Sequence, residues 1–193
     1  NEANSFGAKV IAVSKTKPIE AIQAFYAKGQ RLFGENKVQE MLEKYHALPK
    51  DIEWHMIGHL QSNKVKQIAP FIHCIHSVDS SKLLFDIQKQ AKLVQRTIPI
   101  LLQVHIAEEE TKYGMSNKEV MEVMEYYTQS ADLKENVRII GLMGMASNTT
   151  NTEKVQQEFR SLQSLFHFCK QSYLLDDTQF KELSMGMSSD YLL

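Results

Sequence analysis

Lys15 is the first side chain in this sequence whose setting suggests chemistry. It follows Val10 to Val13, four apolar residues too few and too rich in β-branching for a helix, which read as a fully buried strand. Pro18 then opens a helical pattern, where its fixed φ and missing N–H cost nothing at the first helical position. Lys15 is therefore expected where a strand ends and a strand-to-helix loop begins, the edge on which α/β folds mount their chemistry. Apolar walls behind an amine and solvent in front favour a nucleophile towards aldehydes. The plain alternative is a solvated loop lysine, with Lys17 as its twin. Near the other end, Met187, Ser188, Ser189 and Asp190 place small hydroxyl residues where a helix would begin. Free backbone N–H groups and hydroxyls there can hold a phosphate, although the same serines would serve as ordinary N-caps.

Bringing these two stretches together requires a scaffold, and the apolar periodicity describes one. Ile19, Ile22 and Phe25 (with Tyr26) repeat at helical spacing, and Gly29 closes that helix. Residues 31–36 read as a short strand broken by Gly34, and Val38, Met41, Leu42 and Tyr45 predict a second helix ended before Pro49. A third strand is expected over 53–58, a short helix over about 62–69, and a fourth strand over 71–79. Ser80 or Ser81 then caps a helix carrying Leu83, Leu84, Ile87 and Ala91. The run Ile98 to Ile106 is the strongest strand signal, and Ser116 with Glu119 forms a capping box for a helix with Val120, Val123, Met124 and Tyr127 inside. Residues 138–146 predict a sixth strand interrupted by Gly141 and Gly144, where backbone is expected to approach something closely. Thr152 starts a long helix with Val155, Phe159, Leu162, Phe166 and Cys169 inward, and 182–190 ends a seventh strand.

Seven strands alternating with helices through short loops predict an all-parallel α/β architecture. The absence of a dinucleotide fingerprint after the first strand favours a (β/α)8 TIM barrel over an open sheet. The eighth strand would lie beyond Leu193, and 1–193 reads as one domain whose ends belong to a longer chain. No repeat or linker marks a second domain.

In a barrel the strand ends converge on one mouth. Lys15, Asn36, Ile57 to His59, Lys112, Met143 to Met145 and Ser184 to Asp190 should therefore be read together. A lysine and a phosphate cradle on one mouth are what an aldehyde cofactor with a phosphate handle requires, and pyridoxal phosphate is the candidate. Six motifs add to this: AVSKTKP at 12–18, FGENKVQE at 33–40, EWHMIGHLQSNK at 53–64, HSVDS at 76–80, GLMGMA at 141–146 and LSMGMSSD at 183–190. With them the chain resembles the pyridoxal-phosphate homeostasis protein family, whose fold is that of the alanine racemase N-terminal barrel. The resemblance implies that Lys15 forms the Schiff base, that Asn36 and His55 lie along the pocket wall, and that Ser184, Met187, Ser188 and Ser189 border ring and phosphate. Strand alternation puts Met143 and Met145 on one face, where they read either as core packing or as a pocket floor. The resemblance further implies a cytoplasmic, monomeric carrier that holds the cofactor and passes it to apo-enzymes without robust turnover. The family's final strand carries an arginine–x–glycine segment at the phosphate site, and this sequence stops before it. The alternative is a fold-type III amino-acid racemase or lyase, which needs a second acid/base group such as Lys112 or His55. A third reading is a scaffold that binds a regulatory partner through its outer helices.

Composition narrows the classes further. A net charge of −1 with scattered lysines and arginines leaves no footprint for nucleic acid. No apolar run approaches the ~18 residues of a membrane span, and no signal-peptide pattern opens the sequence. Cys74 and Cys169 read as two buried thiols in a reducing compartment. No metal site is expected. His55 and His59 stand four apart, but Gly58 breaks the helical geometry a metal pair would use. Alternation along the fourth strand sends Cys74 and His76 to one face and His73 to the other. The run Glu108 to Glu110 reads as a solvated loop.

Overall fold

Among the residues that this computed structural model describes, 7–108 and 113–185, seven parallel strands form one sheet in strict chain order. They are β1 (Ala12–Val13), β2 (Leu32–Glu35), β3 (Glu53–Met56), β4 (Cys74–Val78), β5 (Ile98–Val104), β6 (Val137–Gly144) and β7 (Glu182–Ser184). Between them run α1 (Ile19–Ala27), α2 (Val38–Ala47), a 3-10 turn (Ser62–Lys64) leading into α3 (Val65–Ile68), and α4 (Ser81–Leu93). The remaining helices are α5 (Asn117–Gln129), α6 (Ala131–Asn136) and α7 (Thr152–Tyr173). Because each crossover adds the next strand on the same side, the order never reverses at a switch point, and the sheet winds as a barrel does. The fold is a TIM-type barrel lacking closure: β1 and β7 are not paired with each other among the described residues.

Local sequence explains where the helices begin and end. The Ser80 hydroxyl accepts from the Leu83 N–H, and Ser116 and Glu119 make the full capping box. Asn151 caps α7 by accepting from the Lys154 N–H. Gly29 ends α1 at φ +93°, a conformation that spares glycine the Cβ clash.

Two apolar layers result. The larger lies between sheet and helices and includes Ile22, Met41, Trp54, Ile75, Leu84, Ile87, Ile100, Leu102, Met124, Leu162 and Phe166. The smaller, Cys74, Leu101 and Met143 with Ile140 and Met145 against it, belongs to the inner face of the sheet. Strand β5 shows the division: Ile98, Ile100, Leu102 and Val104 face the helices, whereas Leu101 and Gln103 face inward, as the period of two demands. Each fully buried aliphatic side chain in the outer layer contributes roughly 1.5–3 kcal/mol. Cys74 and Cys169 are both buried free thiols. Among the described residues no helix is long and apolar enough to cross a membrane.

The structure corrects several local expectations. Strand β1 is short and not fully buried: among the described residues it pairs with β2 alone, and Val10 is 39% and Val13 51% exposed. Pro18 is the N-cap of α1, not its first helical residue, and Phe25 points to solvent. Gly34 does not break β2; it sits mid-ladder between Val13 and His55, where a Cβ would press on Ile57 and Ile11. Helix α6 had no apolar stripe long enough to announce it, and a Ser130 cap starts it. Phe159 is only partly buried and borders the inner cavity.

Nor does Gly141 interrupt β6. It pairs with Glu182 of β7, and a Cβ at Gly141 would lie 1.7 Å from the Glu182 carbonyl oxygen. The close approach expected there is that of the next strand. Gly141→Ala should therefore push β7 off the sheet and cost about 1–3 kcal/mol, the scale of overpacking, read as a lower urea midpoint. An unchanged midpoint would show that β7 contributes no stability.

Candidate functional site

The concave side of the sheet bounds a trough of about 1610 Å3 running from the amino ends of the strands (Glu53, Thr97, Arg138) to their carboxyl ends. Lys15, Asn36, His55, Met143 and Ser184, which come from five different strands or strand ends, all line it. Lys112, Met187, Ser188 and Ser189 lie outside the described residues.

Lys15 stands exposed at the rim, but the residues on either side of it are tightly held. Ser14 is buried, donates its N–H to the Gly34 carbonyl at 2.9 Å and its hydroxyl to Glu35 Oε1 at 2.6 Å. Lys44 Nζ donates to the Ser14 carbonyl, to Glu35 Oε1 and to Glu40 Oε1, each at 2.7 Å. Glu40 Oε1 also accepts the Thr16 N–H at 2.6 Å. Thr16 has φ +62°, a left-handed conformation that strains a β-branched residue by about 1–3 kcal/mol. Burial raises the Glu35 pKa above the ordinary carboxylate range, outweighing the pull of Lys44 and Ser14. The Lys44 hydrogen bond lowers that of the more exposed Glu40.

At the next strand end, Asn36 packs against Gly58, where a Cβ would stand 2.5 Å from the Asn36 Cβ; only glycine lets Asn36 seat there. The Asn36 Oδ1 atom is buried without a hydrogen-bond partner among the described residues. Beside it, His59 Nδ1 lies 3.0 Å from Asp79 Oδ2, and the ring stacks on Tyr113 with centroids 4.2 Å apart.

Deeper in the trough, His55 Nδ1 and His76 Nε2 share a hydrogen bond of 2.8 Å, and His76 Nδ1 lies 3.0 Å from the Ser184 hydroxyl. The chain of contacts links β3, β4 and β7 across the inner face. Burial holds the His55 pKa down to about 3, with His76 adding to the effect, and holds His76 down to about 4. Both rings are therefore neutral near pH 7, one donating the shared proton and the other accepting it. His55 Nε2 has no hydrogen-bond partner among the described residues. His55, Cys74 and His76 bring ligand-type atoms within 4.8 Å of one another, as do Glu53, His55 and His73. The expected separation of His73 from Cys74 and His76 fails. His73 also lines the trough, with its ring centroid 5.2 Å from that of His55, although its N–H already bonds to the Trp54 carbonyl of β3 at 2.9 Å.

Lys44, Glu35 and Glu40 were not singled out from the sequence. A signal existed for Lys44, which falls three residues after Met41 on the buried stripe of α2. Tyr113 and the contact of His76 with Ser184 carried no such signal, the latter pair being 108 residues apart in the chain.

Consecutive parallel strands wound with outer helices, and a cavity opening at their carboxyl ends, define the class as an α/β-barrel protein. Residues 1–193 match the family model described as alanine racemase, N-terminal domain, and the chain belongs to that family. It is 40% identical over 185 residues to the pyridoxal phosphate homeostasis protein of Aquifex aeolicus, a match covering 95% of this chain and 78% of the relative. The protein of the same name from Schizosaccharomyces pombe is 35% identical over 195 residues, covering 99% of this chain and 78% of its own length. Among solved structures, PipY of Synechococcus elongatus with PLP bound superposes with a TM-score of 0.83 at 35% identity, covering 95% of this chain and 84% of that one. Alanine racemase from Streptomyces coelicolor, at 15% identity and a TM-score of 0.72, covers 86% of this chain and 45% of that one and shares the fold.

The neutral histidine pair makes stability depend on pH. Unfolding returns both rings to about 6.5, so the unfolded chain binds more protons below that value and stability falls as pH drops from about 6.5 towards 4. The slope reaches about 1.4 kcal/mol per pH unit for each histidine. Urea midpoints between pH 7 and pH 5, where ordinary carboxylates stay ionised, should show this decline, and His76→Gln should make it shallower. A flat wild-type profile over that interval would refute the buried neutral pair.

Proposed function

We propose that this chain binds pyridoxal 5′-phosphate through Lys15 and serves its homeostasis, holding the cofactor and passing it on without robust turnover. The observation that carries the reading is the pairing of Lys15 and Asn36, at adjacent strand ends over one trough, in a chain 35% identical to a barrel protein solved with PLP bound. The residues present fit such a group. Among the described residues Asn36 Oδ1 is a buried acceptor lacking a donor, Lys15 is an accessible amine on the same rim, and Leu101 and Met143 give an apolar floor.

When bound, pyridoxal phosphate supplies a reactive aldehyde and an electron-withdrawing ring. Lys15 would hold it covalently, Asn36 would accept a hydrogen bond at its edge, and His55 and Met143 would wall the cavity beneath. Ser184 keeps its hydroxyl against His76, and Met187, Ser188 and Ser189, outside the described residues, are the proposed contacts to ring and phosphate. The racemase or lyase alternative needs a second proton carrier. Of the two candidates, Lys112 lies outside the described residues, and His55, with its pKa held to about 3 and Nδ1 committed to His76, is a poor proton acceptor near neutral pH, which favours the carrier. In this reading 1–193 acts as a single domain, a monomer in the cytoplasm, and PLP-dependent apo-enzymes are the recipients.

Borohydride reduction of the protein mixed with pyridoxal phosphate should leave one mass adduct, located on Lys15, and Lys15→Ala should abolish it. An adduct spread over surface lysines, or undiminished in Lys15→Ala, would overturn the assignment. Solvent deuterium entering the α-carbon of alanine well above the rate with free cofactor would favour the enzyme instead.

A further inference from the structure

The cluster of charges beneath Lys15 has no part in the function proposed above, yet it grips the backbone on both sides of that residue. Lys44 Nζ has three N–H donors and all three are used, on the Ser14 carbonyl, Glu35 Oε1 and Glu40 Oε1. These acceptors come from three separate pieces of chain: the loop after β1, the end of β2, and the first turn of α2. The Lys44 side chain is 5% exposed and that of Glu35 0%, so the ammonium cannot swing aside into water without abandoning a buried carboxylate.

A buried ion pair is a weak way to gain stability, since well-packed apolar residues of similar volume often do as well. What this one supplies is geometry. Ser14 is fixed through its N–H, carbonyl and hydroxyl. Thr16 is fixed through its N–H to Glu40, which holds it in a left-handed conformation that threonine does not choose unaided. Lys15 is the residue between them.

We infer that Lys44 is a positioning residue for Lys15: by tying Glu35 and Glu40 to Ser14 and Thr16, it aims the Lys15 amine over the trough. The inference rests on the reading that Lys15 holds pyridoxal phosphate. Lys44 itself touches neither the cofactor site nor Lys15 through any of these bonds. Its role is to set the backbone from which the reactive side chain departs, and displacements of about 1 Å in such a group can cost up to a hundredfold in rate.

The test uses the full chain and two readouts. The first is the rate at which Lys15 captures pyridoxal phosphate, trapped by borohydride. The second, in cofactor-free protein, is the acetylation rate of Lys15 by dilute acetic anhydride relative to exposed Lys28. Glu40→Ala removes the acceptor for Thr16, and Lys44→Met/Glu35→Gln removes the buried charges as a pair. Each should slow capture about tenfold and change the acetylation ratio, while Glu40→Gln, which keeps an acceptor, restores both. Glu40→Ala decides the matter alone if the double variant does not fold. Wild-type capture and acetylation in Glu40→Ala would overturn the inference, whereas undiminished capture in Lys15→Ala would instead overturn the function on which it rests.

Discussion

Every strand in the described sheet enters from the same end, and that single directionality governs what can be built on it. With all ladders parallel and in chain order, the carboxyl end of each strand meets a loop on one rim. Lys15, Asn36 and the segment from Ile57 to His59 reach that rim from three successive strands without any helix having to point a side chain across the barrel. Gly141 shows how closely the ladder must pack to keep this arrangement, since the seventh strand approaches to within the space of a methyl group.

The inner face is not uniformly apolar. Cys74, Leu101 and Met143 make a small greasy patch, while His55, His76, Ser184 and Gln103 supply polar groups beside it. The polar members are satisfied chiefly by one another: the two imidazoles share a proton, and His76 reaches the Ser184 hydroxyl. Neutrality is what allows that, because a buried imidazolium would have to give up hydration with no carboxylate among the described residues bonded to either ring. Gln103 solves the same difficulty by donating to the Tyr113 carbonyl at 2.8 Å.

The outer charges follow a different rule. On the rim, Glu35, Glu40 and Lys44 are ionisable groups brought under the β1 loop, and their cost is offset only because all three ammonium donors find oxygen. A parallel device holds the loop after β6, where Glu158 of α7 accepts from the Ser147 N–H and hydroxyl at 2.6 Å each. In both places a helix carboxylate accepts from a loop that follows a strand: Glu40 of α2 from Thr16 in the loop before α1, and Glu158 of α7 from Ser147 in the loop before its own helix. The mouth of the barrel is thereby framed by loops whose backbone is specified by side chains from the outer layer.

Much of this was legible in the residues themselves. The stripes of α4 and α5, the Ser80 cap and the Ser116–Glu119 box are local patterns whose physics is complete within one or two turns, and they stand where the sequence predicts. The position of Lys15 after an apolar run and before Pro18 likewise placed it at a strand end with no knowledge of the rest. What needed the tertiary structure was every feature whose energy depends on a partner far along the chain. The stripe of α2 takes in Lys44, but the groups that let an ammonium stay there, Glu35 and Ser14, are unreadable until the fold brings them beneath it, and so is the exposure of Val13. His73 shares the trough with His55 of a neighbouring strand, and Gly141 is required by the backbone of a strand 41 residues further on. Periodicity tells which way a side chain faces; whether a charge can live there is decided by the groups that folding brings to meet it.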